Sequence, residues 1–235
     1  MIDIHCHLLP GLDDGPRSMD DTLAMLRMAA ADGVTTIVAT PHYGGRFGEP
    51  KPDTIRDLVA QVNRRAREAA LAIEVLPGCE ACLELDLAEK VERGQVLTFG
   101  ETNRYVLVEV ATEPLPLYAL DVSFRLRTLG VTPVLAHGER LAATNSGWGF
   151  VRRFKEQGGL VQLNADAVAG QAGWRVKRVC RGLLAENLAT VIASDGHSPD
   201  WRPPLLSPCL HGFPKRVRPT VLETYCELPG LSIGR

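Results

Sequence analysis

The sequence lacks a strong charge of either sign, a long hydrophobic run and a recognisable leader. It has 26 basic and 28 acidic residues, and the net charge of −2 argues against the basic field of a nucleic-acid-binding protein. Charged residues interrupt every window of about 18 residues, so we expect no membrane-spanning helix and no membrane insertion. The first residues have neither a basic start nor an apolar core, so we expect no signal peptide and a cytoplasmic protein.

Cysteine is also scarce, and its distribution favours free thiols over a disulfide framework. The six cysteines are scattered along 235 residues, a length that can bury a core without covalent cross-links. Cys79 and Cys82 form a C-x-x-C pair, but a zinc knuckle needs a second pair and the sequence has none. We interpret these two residues as small buried side chains, with metal or redox work as the less favoured alternative.

Short β-branched apolar runs alternate with amphipathic helical patterns along the chain. Seven β/α alternations in one series favour an α/β fold, either a barrel or a doubly wound parallel sheet. The predicted strands are Ile2–Ile4, Val34–Ala39, Ile73–Leu76, Tyr105–Val110, Thr132–Ala136, Leu160–Leu163 and Thr190–Ala193. The predicted helices run from a cap at Ser18 to Asp32, from Asp53 or Thr54 onward, and over Leu83–Arg93, Leu117–Leu129, Trp148–Gln157 and Trp174–Ala185.

Polar side chains follow the predicted strands, each at the carboxyl end of its strand. In parallel β/α folds these ends meet at one edge, where sites are assembled. The residues are His5 and His7, His42, Glu80, Glu109, His137, Asn164, and Asp195 with His197. His-x-His on an extended segment directs both imidazoles to one face.

This donor set predicts a site for two or three divalent metal ions. Imidazole and carboxylate suit Mn²⁺, which we favour, and also Fe²⁺ or Zn²⁺. Glu109 lies within an apolar strand, where an unpaired carboxylate is costly, so a metal partner explains it. Arg140 and Arg202 lie just beyond the ligands of the fifth and seventh strands, where guanidinium groups can bind phosphate oxygens.

The motifs in their order resemble the PHP (polymerase and histidinol phosphatase) superfamily. Within it they are most similar to the bacterial tyrosine-protein phosphatases of capsule and exopolysaccharide operons. The matching segments are MIDIHCH (1–7), DDGP (13–16), GVTTIVATPH (33–42), GCE (78–80), RYVLVE (104–109), VLAHGER (134–140), VQLN (161–164) and IASDGH (192–197).

The resemblance implies a distorted seven-stranded (β/α) TIM-like barrel over residues 1–204. Residues 205–235 depart from it, and their composition predicts an atypical proline-rich tail that packs on the same domain or trails from it. The resemblance also implies three metal sites. One takes His5, His7, Glu80 and Asp195; the second takes Glu80, Glu109 and His137; the third takes Asp14, His42 and His197. Arg140 and Arg202 would contact the phosphate.

Some assignments remain open. Either Asp13 or Asp14 could cap the loop, and position favours Asp14 as the ligand. Tyr43 and Phe47 line an aromatic-substrate pocket or anchor their loop, and His211 is interpreted as a surface or packing residue. The family usually has proline or an apolar residue in place of Gly138, and residues 205–235 lack its usual amphipathic helix. The sequence does not indicate an oligomeric state.

The favoured hypothesis is hydrolysis of protein phosphotyrosine, by attack of a metal-bridging hydroxide on phosphorus. The resemblance implies a polysaccharide-assembly kinase as substrate. A thiol mechanism is disfavoured, because no cysteine has an arginine six residues later. The alternative is a PHP phosphoesterase acting on histidinol phosphate or another small phosphorylated metabolite. A non-catalytic module predicts missing ligands, and none is missing.

Overall fold

The computed structural model describes residues 1–110 and 115–213, and strands and helices alternate throughout this part of the chain. The strands are β1 (Ile2–Cys6), β2 (Thr36–Ala39), β3 (His42–Tyr43), β4 (Glu74–Pro77), β5 (Glu80–Cys82), β6 (Tyr105–Glu109), β7 (Thr132–Leu135), β8 (Leu160–Asn164) and β9 (Val191–Ala193). The helices are α1 (Met19–Ala31), α2 (Pro52–Glu68), α3 (Leu87–Glu92), α4 (Ala119–Thr128), α5 (Gly138–Ala142), α6 (Gly147–Glu156), α7 (Ala165–Ala169) and α8 (Trp174–Ala185). Short 3₁₀ helices cover Gly45–Phe47, Phe99–Glu101 and Ser207–Gly212.

The strands pair into two parallel sheets. One sheet has the order β1-β2-β4 and the other the order β3-β5-β6-β7-β8-β9. Every recorded strand pair is parallel, which confirms the predicted α/β class. The pairings within residues 1–110 and 115–213 do not form a closed seven-stranded barrel, so that part of the expectation is not confirmed.

The division into two sheets follows from breaks just beyond the ends of two of the predicted strands. β2 and β3 are separated by Thr40 and Pro41, and Pro41 has no N–H to donate to a ladder. β4 and β5 are separated by Gly78 and Cys79. A Cβ at Gly78 would lie 2.8 Å from Val38 Cγ1, so the close approach of two strands requires glycine there. Because β2 pairs with β4 and β3 pairs with β5, the two breaks lie side by side and separate the strands into two sheets.

Two apolar clusters stabilise the fold. The larger packs the helices against the sheets. The smaller contains strand residues from both sheets, so the sheets curve around a shared interior. Its buried members are Ile4, Val38, Phe99, Leu107, Val134, Ala136, Val191 and Ala193.

The ends of the first and last strands lie side by side. Cys6 and Gly196 form a parallel bridge. The Asp195 N–H donates to the His5 carbonyl at 2.8 Å, and the His7 N–H donates to the Gly196 carbonyl at 2.8 Å. The backbone therefore brings two histidines from the start of the chain beside a carboxylate from near its end.

Six helices of the described residues match the predicted series apart from some boundaries, whereas α5 and α7 were not predicted. Ser18 caps α1 as predicted, and its side chain accepts from the Asp21 N–H. The predicted helix over Leu83–Arg93 was wrong at its start, since α3 begins at Leu87. The Leu83 N–H instead donates to the Glu109 carbonyl at 2.9 Å, which extends the β5–β6 pairing. None of the helices in the described part of the chain has the length and apolar character to span a bilayer.

The first residues of the predicted tail pack against the fold. Leu206 and Cys209 are fully buried. Asp32 Oδ2 accepts from the N–H groups of Leu206 at 2.7 Å and Ser207 at 2.8 Å, which fixes this segment to the end of α1. The rest of the predicted tail, from residue 214 to 235, lies outside the described residues.

Candidate metal centre

The predicted site residues meet in one place, at the carboxyl ends of the strands. A cavity of about 480 Å³ opens there. Its lining includes Asp14, His42, Glu80, Glu109, His137, Arg140, Asp195, His197 and Arg202. His5 and His7 are fully buried beside it, in contact with Glu80 and Asp195.

His5 and His7 direct their Nε2 atoms toward the same point. The two Nε2 atoms are 3.2 Å apart. His5 Nε2 lies 3.3 Å from Glu80 Oε1 and 3.3 Å from Asp195 Oδ1. The extended backbone of β1 therefore places both imidazoles on one face, as the His-x-His spacing predicts.

The Glu80 carboxylate is the centre of the cluster. Its Oε1 lies 3.1 Å from His137 Nε2, and its Oε2 lies 3.1 Å from both His7 Nε2 and His42 Nδ1. Oε2 is buried and accepts no hydrogen bond from the described residues, despite these neighbours. A buried carboxylate oxygen among imidazole nitrogens is costly in a protein unless a cation is present.

Glu109 and Asp14 complete two sides of the cavity. Glu109 Oε1 lies 3.3 Å from His137 Nε2. Asp14 Oδ1 lies 3.5 Å from His42 Nε2 and 3.4 Å from His197 Nε2. Each carboxylate therefore faces imidazoles that come from other strands.

The donors fall into overlapping groups that fit divalent ions. Within each group, one potential ligand atom per residue lies within 4.8 Å of the others. The groups are His5, His7 and Glu80; His42, Glu80 and Glu109; and His7, Asp14, His42 and His197. Imidazole nitrogens and carboxylate oxygens at this spacing are the donors that Mn²⁺, Fe²⁺ and Zn²⁺ accept.

Both predicted phosphate-binding arginines contact Asp195. The Nη2 atom of Arg140 donates to Asp195 Oδ2 at 2.9 Å, and Nη2 of Arg202 donates to the same oxygen. Arg140 is half-exposed and Arg202 is 22% exposed, so both border the cavity with part of the guanidinium facing the opening. The cavity thus has a cationic edge beside its acidic floor.

Two site residues have left-handed backbone conformations. His137 has φ 32° and Asp195 has φ 54°, a region that few non-glycine residues adopt. Each follows directly on the last residues of a strand, and the positive φ turns the chain so that the side chain faces the cavity. Strain of this kind persists at functional sites when the surrounding packing determines it.

Charges in the cluster shift several pKa values in opposite directions. Burial lowers the pKa of His7, but the neighbouring carboxylates of Asp13 and Glu80 raise it by more, so that it reaches about 10. His137 likewise reaches about 10, because Glu109 and Glu80 outweigh its burial. Burial and the neighbouring charge of His7 lower the pKa of His197 to about 3. Imidazoles in one cavity thus differ in protonation in the metal-free chain.

Glycine at position 138, unusual for the resembled family, has a local cause. A Cβ there would lie 2.5 Å from Val161 Cγ1, so α5 can pack against β8 only with glycine at this position. This contact places the start of α5, and with it His137, close to the strand that carries Gln162.

The structure separates the residues that the sequence left open. Asp14 belongs to a donor group, whereas Asp13 Oδ2 binds His7 Nδ1 at 2.7 Å. Phe47 lines the cavity and stacks on the His42 ring at 4.3 Å, while Tyr43 is buried and bonds Glu49. His211 is exposed, as predicted for a surface residue. Cys79 is fully buried, and burial raises its pKa to about 12, consistent with a packing role.

Sequence reasoning missed two residues around the site. Arg46 Nη2 lies 3.4 Å from Asp14 Oδ2 and borders the cavity. Gln162 is fully buried and contacts both His5 and His137. The sequence signal for Gln162 was a polar residue inside an apolar strand. It lies two positions before Asn164, which places both side chains on the same face of the strand.

Comparison with known proteins places the chain among capsule-synthesis proteins. The family model described as capsular polysaccharide synthesis, CpsB/CapC, matches residues 1–226. The tyrosine-protein phosphatase YwqE of Bacillus subtilis is 32% identical over 198 residues, which are 84% of this chain and 78% of that protein. The tyrosine-protein phosphatase CpsB of Streptococcus pneumoniae is 32% identical over 219 residues, 88% of this chain and 86% of that protein.

A solved structure is similar over nearly the whole fold. It is one of the crystal structures of YwqE from Bacillus subtilis and CpsB from Streptococcus pneumoniae. Those two proteins are described as unique metal-dependent tyrosine phosphatases. The TM-score is 0.88 at 30% sequence identity, and the match covers 95% of this chain and 92% of that chain.

Proposed function

This chain belongs to the CpsB/CapC family of capsular polysaccharide synthesis, and from that membership and its site we propose a metal-dependent phosphatase that hydrolyses protein phosphotyrosine. The observation that carries the proposal is the convergence of imidazoles and carboxylates on one cavity edged by Arg46, Arg140 and Arg202. The relatives named tyrosine-protein phosphatases support the substrate class. The enzyme is accordingly a phosphoric monoester hydrolase.

Three metal positions account for the donor set. His5, His7, Glu80 and Asp195 would hold one ion. Glu80, Glu109 and His137 would hold the second, and Asp14, His42 and His197 would hold the third. The groups whose donor atoms lie within 4.8 Å of one another differ from these sets: His42 joins Glu80 and Glu109, His7 joins the third set, and neither Asp195 nor His137 is included. Both His42 Nδ1 and His137 Nε2 lie 3.1 Å from a Glu80 oxygen, which suits Glu80 as a bridge. Mn²⁺ is the favoured ion, with Fe²⁺ or Zn²⁺ as alternatives.

Bound ions of this kind supply Lewis acidity and a water of lowered pKa. The remaining work belongs to the chain. Arg140 and Arg202 have N–H groups at the cavity edge that can bind phosphate oxygens and orient phosphorus toward the acidic floor. Phenolate leaves more readily than an alkoxide because its conjugate acid has a pKa of about 10, so the site needs no strong general acid.

Phe47 is the aromatic residue suited to the tyrosine ring. It is half-buried, lies parallel to the His42 ring at an interplanar angle of 5°, and has Arg46 over its own ring at 4.6 Å. The 3₁₀ helix Gly45–Phe47 therefore brings an aromatic face and a cation to the cavity mouth. Because His42 and Arg46 cover the Phe47 ring, an aryl phosphate that entered there would pack edge-to-face against Phe47 and beside Arg46.

The protein substrate we propose is the phosphorylated kinase of polysaccharide assembly, and the compartment is the cytoplasm. Free thiols at Cys6, Cys79, Cys180 and Cys209 fit a reducing compartment.

The proposal also includes a barrel and the division of the chain into residues 1–204 and 205–235. We interpret the shared interior cluster and the contact of β1 with β9 as a distorted seven-stranded barrel over residues 1–204. Residues 205–235 are proposed as a tail packed on or trailing from this unit, and the burial of Leu206 and Cys209 favours packing at its start.

The decisive experiment measures phosphate release from a phosphotyrosine peptide together with metal content. The purified chain is expected to lose turnover with a chelator and regain it with Mn²⁺. His42→Ala is expected to lower turnover by more than about 100-fold. That factor is the upper end of the loss seen when only an outer hydrogen-bond partner of a metal ligand is changed. His211→Ala removes an exposed histidine outside the cavity and serves as the matched control. Less than about one metal per chain without Mn²⁺ rescue would refute the metal mechanism.

Histidinol phosphate is the competing substrate, and a parallel assay separates the two. The phosphotyrosine peptide is expected to show the higher kcat/KM, because Phe47 lies at the cavity mouth. A clear preference for histidinol phosphate would overturn the tyrosine assignment while leaving the metal site in place.

A further inference from the structure

Gln162 is a fully buried amide that contacts two predicted metal ligands. It lies in β8 between Val161 and Leu163, both of which are also fully buried. Its Oε1 accepts from the His137 N–H at 2.7 Å and lies 3.1 Å from His5 Nδ1. A buried polar side chain in an apolar strand persists only when its hydrogen bonds are made.

The orientation of this amide is determined by chemistry. A backbone N–H can only donate, so the Gln162 atom that faces His137 N must be the oxygen. The Gln162 Nε2 then donates to Asn164 Oδ1 at 2.8 Å. Asn164 consequently turns its Nδ2 to Asp195 Oδ2, at 2.8 Å, which is a carboxylate oxygen that can accept. The hydrogen bonds of the two amides therefore run in one direction, from the donating N–H of His137 to the accepting Oδ2 of Asp195.

This direction determines which nitrogen of His5 carries the proton. Gln162 Oε1 can only accept, so His5 Nδ1 must be the N–H. The lone pair of the neutral ring is then on Nε2, the atom that lies 3.3 Å from both Glu80 Oε1 and Asp195 Oδ1. The ring therefore presents its unprotonated nitrogen to the cavity cluster.

The other end of the pair directs Asp195. Asn164 Nδ2, Arg140 and Arg202 all donate to Oδ2. Oδ1 is the oxygen left facing the histidines, 3.3 Å from His5 Nε2 and 3.7 Å from His7 Nε2. The pair therefore connects two ligands that are far apart in the sequence through consecutive same-face residues of β8.

We propose that Gln162 and Asn164 form a directional amide relay that sets the His5 tautomer and the Asp195 rotamer, so that Nε2 and Oδ1 face the metal ion. Both are positioning residues: they touch neither the ion nor the substrate. The inference rests on the proposed metal site and is independent of which phosphate ester is hydrolysed. Outer hydrogen-bond partners of metal ligands typically change metal affinity by about 10- to 100-fold.

The tautomer is read directly by ¹⁵N NMR of histidine-labelled, chelator-treated protein, with the His5 signals assigned from their loss in His5→Gln. The wild type is expected to show the Nδ1–H form. Gln162→Leu is expected to lose that preference, because the acceptor is gone. Gln162→Glu is expected to keep it, since a carboxylate oxygen still accepts from His5. A wild-type ring in the Nε2–H form, or an unchanged ring in Gln162→Leu, would overturn the relay.

Mn²⁺ affinity by calorimetry supplies a second readout. Gln162→Leu and Asn164→Leu are each expected to bind Mn²⁺ about 10- to 100-fold more weakly. Ser123→Ala is the matched control, because it removes a buried hydroxyl that donates to the Ala119 carbonyl within α4. It is expected to lower stability without changing affinity.

The outcomes separate the relay from the metal site. Wild-type affinity in both leucine variants would refute the relay. If the wild type bound no Mn²⁺, the proposed metal site would fail, while the NMR result would still decide the direction of the relay. If Gln162→Leu did not fold, Asn164→Leu and the Gln162→Glu spectrum would carry the test.

Discussion

At the residue scale, two adjacent aspartates have opposite surroundings. The Asp13 side chain is 1% exposed, and its oxygens bind His7 Nδ1 at 2.7 Å, the His42 N–H at 3.0 Å and the Gly15 N–H at 2.9 Å. The Asp14 side chain is 38% exposed and faces His42 and His197. We propose that Asp13 orients His7 and that Asp14 is the ligand.

Substituting these two aspartates is expected to separate stability from activity. Asp13→Ala should lower the free energy of unfolding by about 1–3 kcal/mol, because it leaves buried donors without an acceptor. Asp14→Ala should change stability by less than about 0.5 kcal/mol while reducing turnover strongly. Urea denaturation of the metal-free chain and a phosphotyrosine-peptide assay measure the two effects. Equal losses of stability would contradict the assignment.

Phe47 provides a second prediction at this scale. Phe47→Ala is expected to raise the KM for a phosphotyrosine peptide by about 2- to 10-fold. This factor corresponds to the loss of one aromatic pair, which contributes about 0.5–1.5 kcal/mol. The KM for a small alkyl phosphate should change little, because it has no ring to stack. Tyr43→Phe removes only a hydroxyl bonded to Glu49 and is the control. An equal change for both substrates would show that Phe47 only anchors its loop.

At the element scale, local sequence signals located the longer helices and seven of the strands in the described residues, but not the short elements β3, β5, α5 and α7. α8 has its predicted bounds, and Ser18 caps α1 through a hydrogen bond from the Asp21 N–H at 3.2 Å. Those features depend on side chains a few residues apart. The breaks between β2 and β3 and between β4 and β5 depend instead on neighbouring strands, such as the contact of Val38 with Gly78. Periodicity within one segment does not contain that information.

The cap of α1 can be tested against an uncapped helix in the same chain. Ser18→Ala is expected to lower the free energy of unfolding by about 1 kcal/mol. Ser146 precedes α6 without a side-chain cap hydrogen bond, so Ser146→Ala should be close to neutral. Denaturant midpoints of both variants measure the difference. Equal effects would show that the Ser18 hydrogen bond does not stabilise α1.

At the scale of the whole molecule, the net charge is only −2, although titratable groups are concentrated in one cluster. Burial would lower the pKa of His7 and of His137, yet the surrounding carboxylates raise both to about 10. Both rings are therefore protonated in the metal-free chain at neutral pH. His197, with a pKa of about 3, is already neutral there.

Metal binding is expected to release protons, because a ligating imidazole must be neutral. His7 and His137 supply them, and His197 supplies none. Since protons compete with the ion at any pH below about 10, Mn²⁺ affinity should rise with pH from 6.5 to 8.5. Calorimetry at pH 7 in buffers of different ionisation enthalpy measures the release. Affinity that is independent of pH, without proton release, would contradict these raised pKa values.

The sequence by itself determined the chemistry of this protein: an α/β series, histidines and carboxylates at the ends of strands, and two arginines beyond them. Those features are local, because a strand end and the residue after it are adjacent in the chain. Only the tertiary structure decided how the donors are shared. It placed Asp195 beside His5 through the β1–β9 contact, gave His137 and Asp195 positive φ angles, and revealed the Gln162–Asn164 relay. Such relations depend on which strands become neighbours, and long-range packing determines that.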